Sequence, residues 1–138
     1  MTVVIGDVHG GFNTLRKLVD KLPQDENICF VGDLIDRGPK SVEVVDFVIE
    51  NGFDCVLGNH EELMIHAEKY MDMGSAQIWH SNGGWSTLLN YDYDDEKIKE
   101  HLDWMLTLPL IIKYDEIGLM VSHSSAAEYV NRGYEDKY

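Results

Sequence analysis

Short apolar runs alternate with amphipathic stretches along the first half of the chain. Val3 to Ile5, Ile28 to Val31 and Phe53 to Leu57 have the length and composition of buried strands. Between these runs apolar residues recur at helical spacing, and the predicted inner faces are Leu15, Leu18, Val19 and Leu22 in one helix and Val42, Val45 and Ile49 in the next. The order strand, helix, strand, helix, strand predicts a parallel sheet with right-handed crossovers.

The second half of the chain is predicted to be helical before a hairpin. A third helix is expected to end at Gly74, and a fourth is expected with its apolar face at Ile98, Leu102, Met105 and Leu106. The segment 78–89 between them carries no assignable pattern. Two apolar runs, Leu110 to Tyr114 and Ile117 to Val121, predict an antiparallel hairpin, and the polar tail 131–138 gives no folding signal.

A glycine followed by a polar side chain stands at the end of each predicted parallel strand. Asp7, Asp33 and Asn59 occupy these positions and are evenly spaced by one strand–helix unit. Because the carboxyl ends of parallel strands meet at one edge of the sheet, we expect the three side chains to lie together at the place where open parallel sheets bind ligands.

The loop from Gly32 to Gly38 holds the greatest density of chemically useful groups, two carboxylates and a guanidinium. Asp33 has two carboxylate oxygens and is expected to be shared by two metal ions. Arg37 is always charged and matches phosphate oxygens in a forked geometry, so we expect it to bind a phosphate.

Further candidate metal ligands lie in the neighbouring loops and at a distant strand end. Asp7 and His9 are two residues apart, so on an extended chain they would point to the same side. Asn59 offers an amide oxygen, and His123 offers an imidazole. Together with Asp33 these mixed oxygen and nitrogen donors suit manganese, iron or zinc better than calcium. Two such ions could hold a hydroxide and polarise a phosphoryl group for in-line attack.

His60 follows a candidate ligand directly, and adjacent residues at a strand end diverge. Its ring is therefore expected to remain free of the metal and to protonate the leaving oxygen as a general acid. Asp36 is expected to hold that ring protonated and correctly turned.

Composition and charge restrict the function classes further. With 138 residues, 44% of them hydrophobic, the chain is expected to form one globular domain over residues 1–138. The net charge of −14 argues against a nucleic-acid backbone as partner, although bound metal ions would let an acidic protein bind a phosphate. No apolar stretch reaches the roughly 20 residues of a membrane span, and no leader resembles a signal peptide, so a cytoplasmic location is expected. Cys29 and Cys55 lie in apolar runs and are expected to be free buried thiols.

Three stretches resemble the signatures of the calcineurin-like metallophosphoesterases, specifically the serine/threonine phosphoprotein phosphatase branch. They are Gly6-Asp7-Val8-His9-Gly10, Gly32-Asp33-Leu34-Ile35-Asp36-Arg37-Gly38 and Gly58-Asn59-His60-Glu61. Three later stretches are similar to the phage-type phosphatases of bacteriophage lambda and their bacterial relatives, namely Asn82-Gly83-Gly84-Trp85, Leu108-Pro109-Leu110-Ile111-Ile112 and Val121-Ser122-His123.

This resemblance implies a fold, a reaction and a set of residue roles. The fold would be an α/β sandwich of two central sheets flanked by helices, here lacking the C-terminal strands. The reaction would be hydrolysis of phosphomonoesters, above all phosphoserine and phosphothreonine proteins but also small phosphoesters, by direct attack of a hydroxide bridging two divalent ions, Mn²⁺ before iron or zinc. In these roles Asp7, His9 and Asp33 would hold the first ion, Asp33, Asn59 and His123 the second, His60 supported by Asp36 would be the general acid, and Arg37 would bind the substrate phosphate.

Two departures from the family pattern leave alternatives open. The protein-phosphatase branch has an arginine before Gly-Asn-His where this chain has Leu57, and the symmetrical diadenosine tetraphosphatases resemble the chain at that point. The family also continues beyond residue 138 with strands and a Gly-His pair that completes the second metal site. His66, His80 and His101 are expected to be surface or core residues rather than substitutes. The alternatives are therefore a symmetrical dinucleoside polyphosphate hydrolase and a truncated, non-catalytic module that binds metal or phosphate.

Uncovered sheet edges in such a short form would also allow a homodimer, because an unpaired strand edge can pair with a second chain.

Overall fold

Three parallel strands form the sheet whose edge carries the predicted site. In this computed structural model, which describes residues 1–124, β1 (Thr2–Ile5), β2 (Asn27–Phe30) and β3 (Asp54–Cys55) lie in that order. β2 pairs in parallel with both neighbours, with Phe30 opposite Ile5 on one side and opposite Cys55 on the other. The predicted parallel sheet is confirmed, and the tail 131–138 lies outside the described residues.

Two crossover helices connect these strands. α1 (Phe12–Val19) and α2 (Ser41–Glu50) lie between the strands as predicted. On α1 Leu15 is buried as predicted, but Leu18 is exposed and Leu22 lies beyond the end of the helix. The buried face of α2 is Val44, Val45 and Val48, whereas the predicted Val42 and Ile49 are only partly buried. The core lies between this sheet and the helices, and its residues include Ile5, Phe30, Leu34, Val44, Val48, Trp79 and Met105.

The helical region after β3 differs from the prediction at Gly74. α3 (Asn59–Met64) begins at Asn59 itself and continues into a π-helical turn over Ile65–Lys69. α4 (Met73–Trp79) starts after Asp72, whose carboxylate accepts hydrogen bonds from the amides of Gly74 (3.1 Å) and Ser75 (3.3 Å). Gly74 therefore lies in the first turn of a new helix and does not end the previous one, because Asp72 caps the orphan amides there.

The segment without a predicted element is helical apart from a break at Gly83. A second π-helical turn, His80–Gly84, joins α4 to α5 (Trp85–Tyr91), with Gly83 at a non-helical φ of 109°. The predicted amphipathic helix is present as α6 (Asp95–Met105), with Ile98, Leu102 and Met105 buried. The prediction was wrong for Leu106, which follows the last helical residue and is exposed. None of the helices in residues 1–124 combines the length and the hydropathy that crossing a bilayer requires.

The predicted hairpin is present and covers the other face of the parallel sheet. β4 (Ile111–Tyr114) and β5 (Leu119–Ser122) pair antiparallel. A second apolar cluster of Cys29, Val56 and Val121, with Ile112, Tyr114 and Leu119 packed against it, joins the two sheets. The Tyr114 hydroxyl also donates to the Asp54 carboxylate at 2.6 Å. The described residues thus form an α/β arrangement of two facing sheets with helices on the first, and Cys29 and Cys55 are free buried thiols as predicted.

A buried histidine ties three helices together away from the sheet edge. The Nδ1 atom of His101 on α6 lies 2.6 Å from the hydroxyl of Tyr91 on α5. Its Nε2 atom lies 2.9 Å from a carboxylate oxygen of Asp46 on α2. Burial lowers the pKa of His101 below its ordinary value of 6.5, against the opposing effect of Asp46. His101 is therefore a core residue, as expected.

We expect His101 to make the fold less stable as the pH falls below 6.5. Because the folded-state pKa is the lower one, the unfolded chain binds the proton more readily between the two values, so stability rises with pH through that window. In urea unfolding at a series of pH values, His101→Gln should remove this part of the slope, and the exposed control His66→Gln should keep it. An identical pH dependence in wild type and His101→Gln would contradict the assignment.

Candidate metal centre

Three loops meet at the carboxyl edge of the parallel sheet. The amides of Val8 and His9 in the first loop each donate to the carbonyl of Asp33 in the second at 3.0 Å. The second and third loops approach each other closely at Gly32 and Gly58. A Cβ atom on Gly32, at a φ of +89°, would collide with the backbone of Gly58. A Cβ atom on Gly58 would collide in turn with the Asp33 amide nitrogen. The predicted convergence of the three loops is therefore present, and it requires both glycines.

Asp33 lies at the centre of this convergence and is almost fully buried. Its Oδ2 atom is 3.8 Å from His9 Nε2 and 3.9 Å from His60 Nε2. Its Oδ1 atom faces the other way and lies 3.5 Å from His123 Nε2. The two oxygens of one carboxylate thus face two separate groups of donors, which is the arrangement a shared ligand needs.

The first loop contributes Asp7 and His9. His9 Nε2 lies 3.9 Å from Asp7 Oδ2, so the two side chains are neighbours as predicted. The predicted reason was wrong, because His9 has a left-handed φ of 44° and the chain is not extended there. The ring is instead aimed by its Nδ1 atom, which lies 2.8 Å from the Ile35 carbonyl.

The two outer histidines present the same nitrogen to the centre. The Nδ1 atoms of His9 and His123 face the carbonyls of Ile35 (2.8 Å) and Val31 (2.7 Å). A carbonyl can only accept, so each Nδ1 carries the proton and each Nε2 of the neutral ring keeps a lone pair. This orientation, with Nδ1–H fixed on a backbone carbonyl, is the usual one for a histidine that binds a metal through Nε2.

The lone pair on His123 Nε2 faces oxygen atoms that are themselves acceptors. Its Nε2 atom lies 2.8 Å from the Asn59 amide oxygen and 3.5 Å from Asp33 Oδ1. Ligand atoms of Asp7, Asp33 and His123 also lie within 4.8 Å of one another. Electron-rich atoms held this close repel each other unless a positive charge lies among them, so the donor set fits a divalent cation. The structure thus brings together all five predicted ligands, Asp7, His9, Asp33, Asn59 and His123.

His60 and Asp36 form the second predicted pair. His60 lies in the first turn of α3 rather than at a strand end, and its Nδ1 atom is 2.6 Å from Asp36 Oδ2. Asp36 is fully buried and also accepts hydrogen bonds from Trp79 Nε1 (2.8 and 3.0 Å) and from the Thr87 hydroxyl (2.6 Å). Burial raises the pKa of Asp36, and the hydrogen bonds from Thr87 and His60 oppose this effect. The pair therefore fixes the ring and leaves Nε2 facing the centre.

Arg37 lies over the opening of the centre and is exposed to solvent. Its Nη1 atom is 3.0 Å from His9 Nε2, and its Nη2 atom is 3.3 Å from His60 Nε2. A permanent positive charge beside both imidazoles is suited to an anion that approaches from solvent.

Glu61 is a structural residue to which the sequence assigned no role. It is fully buried, and its carboxylate accepts hydrogen bonds from the amides of Asp33 and Leu34 (2.8 Å each) and of Ile35 (3.3 Å). Burial, together with the charge of Asp33, raises the pKa of Glu61 to about 6 despite these hydrogen bonds. In the sequence, the position of Glu61 directly after Gly58-Asn59-His60 was the one sign that it belongs to the site. The sequence analysis also missed Trp79 and Thr87, which contact Asp36, because both lie in the segment 78–89 without a predicted element.

His66 and His80 pack against aromatic rings on helical segments, as expected for residues that do not substitute for a metal ligand. The ring of His80 stacks on Trp85 with centroids 4.2 Å apart, and that of His66 contacts Tyr70 at 5.4 Å.

The chain is similar to a known protein family and to individual bacterial proteins. Residues 2–135 match the family described as calcineurin-like phosphoesterase. Serine/threonine-protein phosphatase 2 of Escherichia coli K12 is 32% identical over 138 aligned residues, which cover 92% of this chain and 60% of the relative. The symmetrical bis(5'-nucleosyl)-tetraphosphatase of Erwinia tasmaniensis is 34% identical over 128 aligned residues, covering 89% of this chain and 43% of the relative.

A solved structure shows the same fold. The metallophosphoesterase from Sphaerobacter thermophilus superposes with a TM-score of 0.58 at 22% identity, covering 82% of this chain and 42% of the other. The chain thus spans about half the length of the relatives that it matches.

We expect Glu61→Ala to destabilise the protein, because it leaves three amides without their partner in a buried position. The free energy of unfolding in urea should fall by about 3 kcal/mol or more. Calorimetric titration should show weaker Mn²⁺ binding as well, since the Asp33 loop loses its support. Glu62→Ala, an exposed neighbour on the same helix, should stay within about 0.5 kcal/mol of wild type. Equal losses in the two variants would refute the role of Glu61.

Proposed function

The chain belongs to the calcineurin-like phosphoesterase family, and from this premise we propose that it is a metal-dependent phosphatase that hydrolyses phosphomonoesters. Phosphoserine and phosphothreonine in proteins are the proposed substrates. The observation that carries the proposal is the convergence of carboxylate, amide and imidazole donors on the two oxygens of Asp33. A similar E. coli protein bears the name serine/threonine-protein phosphatase, which favours this substrate class.

Each proposed ligand has a place in the binding of two divalent ions. Proteins of this family use divalent metal ions, and Mn²⁺ is proposed here, with iron or zinc suited to the same donors. When bound, such ions make water more acidic and neutralise charge on the phosphoryl oxygens. The proposed division is Asp7, His9 and Asp33 for the first ion and Asp33, Asn59 and His123 for the second.

The other residues act on the substrate itself. Arg37 would bind phosphate oxygens through its guanidinium, which already lies at the opening of the centre. His60 would donate the proton on Nε2 to the oxygen of the leaving group. Asp36 would stabilise the protonated ring through its 2.6 Å contact with Nδ1. Proton and phosphate are thus handled by residues that the metal does not require.

A second candidate function is hydrolysis of dinucleoside polyphosphates, and Leu57 favours it. Its side chain brings no charge to the position where the protein-phosphatase branch carries arginine. The backbone amide of Leu57 donates to the Pro109 carbonyl at 2.8 Å. Leu57 also lines a cleft of about 230 Å³ together with Asn59, Glu62 and His123. This cleft opens beside the proposed second metal position.

A substrate panel tests the proposal directly. Purified protein with Mn²⁺ is offered a phosphoserine peptide, p-nitrophenyl phosphate and diadenosine tetraphosphate in parallel. We expect release of phosphate from the first two, and we expect Asp33→Asn to reduce it to background while the exposed control Asp25→Asn does not. Faster cleavage of diadenosine tetraphosphate would support the second candidate. Absence of turnover despite Mn²⁺ binding would favour a non-catalytic module.

General-acid catalysis by His60 has its own signature. His60→Asn should slow phenyl phosphate, which has a poor leaving group, by about 100-fold or more. The same variant should slow p-nitrophenyl phosphate far less, because its leaving group needs no proton. Steady-state kcat for both substrates gives the ratio, and equal losses on the two would argue against the role.

A further inference from the structure

One helical segment contacts the residues proposed for proton transfer and phosphate binding. This α4–α5 segment, residues 73–91, places Trp79 Nε1 at 2.8 and 3.0 Å from the two Asp36 oxygens. It also places the Thr87 hydroxyl 2.6 Å from Asp36 Oδ1. The carbonyl of Gly83 in the same segment accepts from the Arg37 amide at 3.3 Å. These three contacts reach two adjacent residues of the central loop.

The two residues that receive these contacts have an unfavourable backbone. Asp36 has a φ of 74° and Arg37 a φ of 67°, both in the left-handed region. Each such conformation in a residue other than glycine costs about 1–2 kcal/mol, so the surroundings must hold it in place. Thr87 holds both the backbone and the side chain of Asp36, because its hydroxyl accepts from the Asp36 amide at 3.0 Å and donates to the Asp36 carboxylate.

The close approach of the α4–α5 segment depends on its two glycines. A Cβ atom on Gly83 would lie 2.8 Å from Arg37 Cγ, and one on Gly84 would lie 2.6 Å from the Trp79 ring. Any larger residue would push Arg37 or the indole aside. The π-helical turn that carries both glycines is a feature often found at functional sites.

We propose that Trp79 and Thr87 are positioning residues that orient Asp36 and, through it, the imidazole of His60. The inference rests on the proposed function, because the orientation matters only if His60 transfers a proton. The Asp36 carboxylate accepts from Trp79, Thr87 and His60, and both supporting side chains are fully buried. Without either supporting hydrogen bond the carboxylate can rotate away from His60 Nδ1, and the ring then loses its fixed direction.

The kinetic test compares phenyl phosphate with p-nitrophenyl phosphate in the presence of Mn²⁺. Trp79→Phe and Thr87→Val should each lower kcat on phenyl phosphate by about tenfold or more, a part of what general-acid catalysis contributes. KM and kcat on p-nitrophenyl phosphate should stay within about threefold of wild type. Thr87→Ser keeps the hydroxyl and should restore phenyl phosphate turnover. Trp85→Phe, the same change at a half-exposed site in the same segment, should have no effect.

A double variant of Trp79 and His60 gives a further check, because a ratio of activities on two substrates does not depend on how much of the protein is folded. In a His60→Asn background, Trp79→Phe should cause no additional change in the ratio of the two substrates, because the group that it positions is absent. A full additional loss of that ratio would overturn the inference.

A spectroscopic measurement separates this inference from the proposed function. The proton on His60 Nδ1, held in a 2.6 Å contact with a carboxylate, should give a downfield resonance in metal-free protein, and His60→Asn should abolish it. Trp79→Phe and Thr87→Val should shift or broaden this resonance, while Trp85→Phe should preserve it. If these changes occur in a protein without turnover, the positioning holds and the proposed function fails. An unchanged resonance in both variants overturns the positioning.

Discussion

The backbone of residues 33–35 supports the entire centre, and the buried carboxylate of Glu61 holds that backbone. Three amides of this stretch donate to Glu61 on α3. The Asp33 carbonyl in turn accepts from the amides of Val8 and His9. Hydrogen bonds therefore join the Asp33 loop to α3 on one side and to the loop of Val8 and His9 on the other. Asp33 itself has a left-handed φ of 52°, a conformation that needs such support. Glu61 thus supports the loops that carry the proposed ligands, through hydrogen bonds to their backbone.

The electrostatics of the centre explain how an acidic chain can bind an anion. Asp7, Asp33 and Glu61 bring carboxylates to one edge of a chain whose net charge is already −14. The negative charge of Asp33 contributes to the raised pKa of Glu61, after the larger effect of burial. Divalent cations would reverse the local sign, and Arg37 extends the positive region toward solvent. Affinity for phosphate would then be a property of the loaded centre rather than of the chain.

Under the proposed function, the shared chemistry and the choice of substrate would reside in different parts of the molecule. Relatives named for protein phosphatase and for tetraphosphatase activity match this chain at 32% and 34% identity, and in both cases the match includes most of this chain. The shared part contains the loops around Asp33, which supports a common phosphoester chemistry. Selectivity between the two substrate classes would then depend on variable positions such as Leu57 and on the cleft that it lines.

Local sequence pattern was sufficient for the strands, for the crossover helices and for the candidate ligands. Apolar periodicity depends on neighbouring residues only, so the parallel strands, the crossover helices and the hairpin could be predicted from it. Even spacing of Asp7, Asp33 and Asn59 then placed these residues at one sheet edge, because strand–helix units of equal length repeat the same geometry. The segment 78–89 was beyond this approach, since a π-helical turn around Gly83 interrupts the helical period.

Only the tertiary structure decided how the proposed ligands are oriented. Glu61 reaches the Asp33 amide across 28 residues, and Trp79 and Thr87 reach Asp36 across 43 and 51. Contacts of that separation leave no period in the sequence, and each depends on the chain having already folded into its sheet. The direction of His9 belongs to the same class, because a carbonyl in another loop sets it rather than the two-residue spacing from Asp7. Sequence therefore determined which groups are present at the edge, and long-range hydrogen bonds determined their orientation.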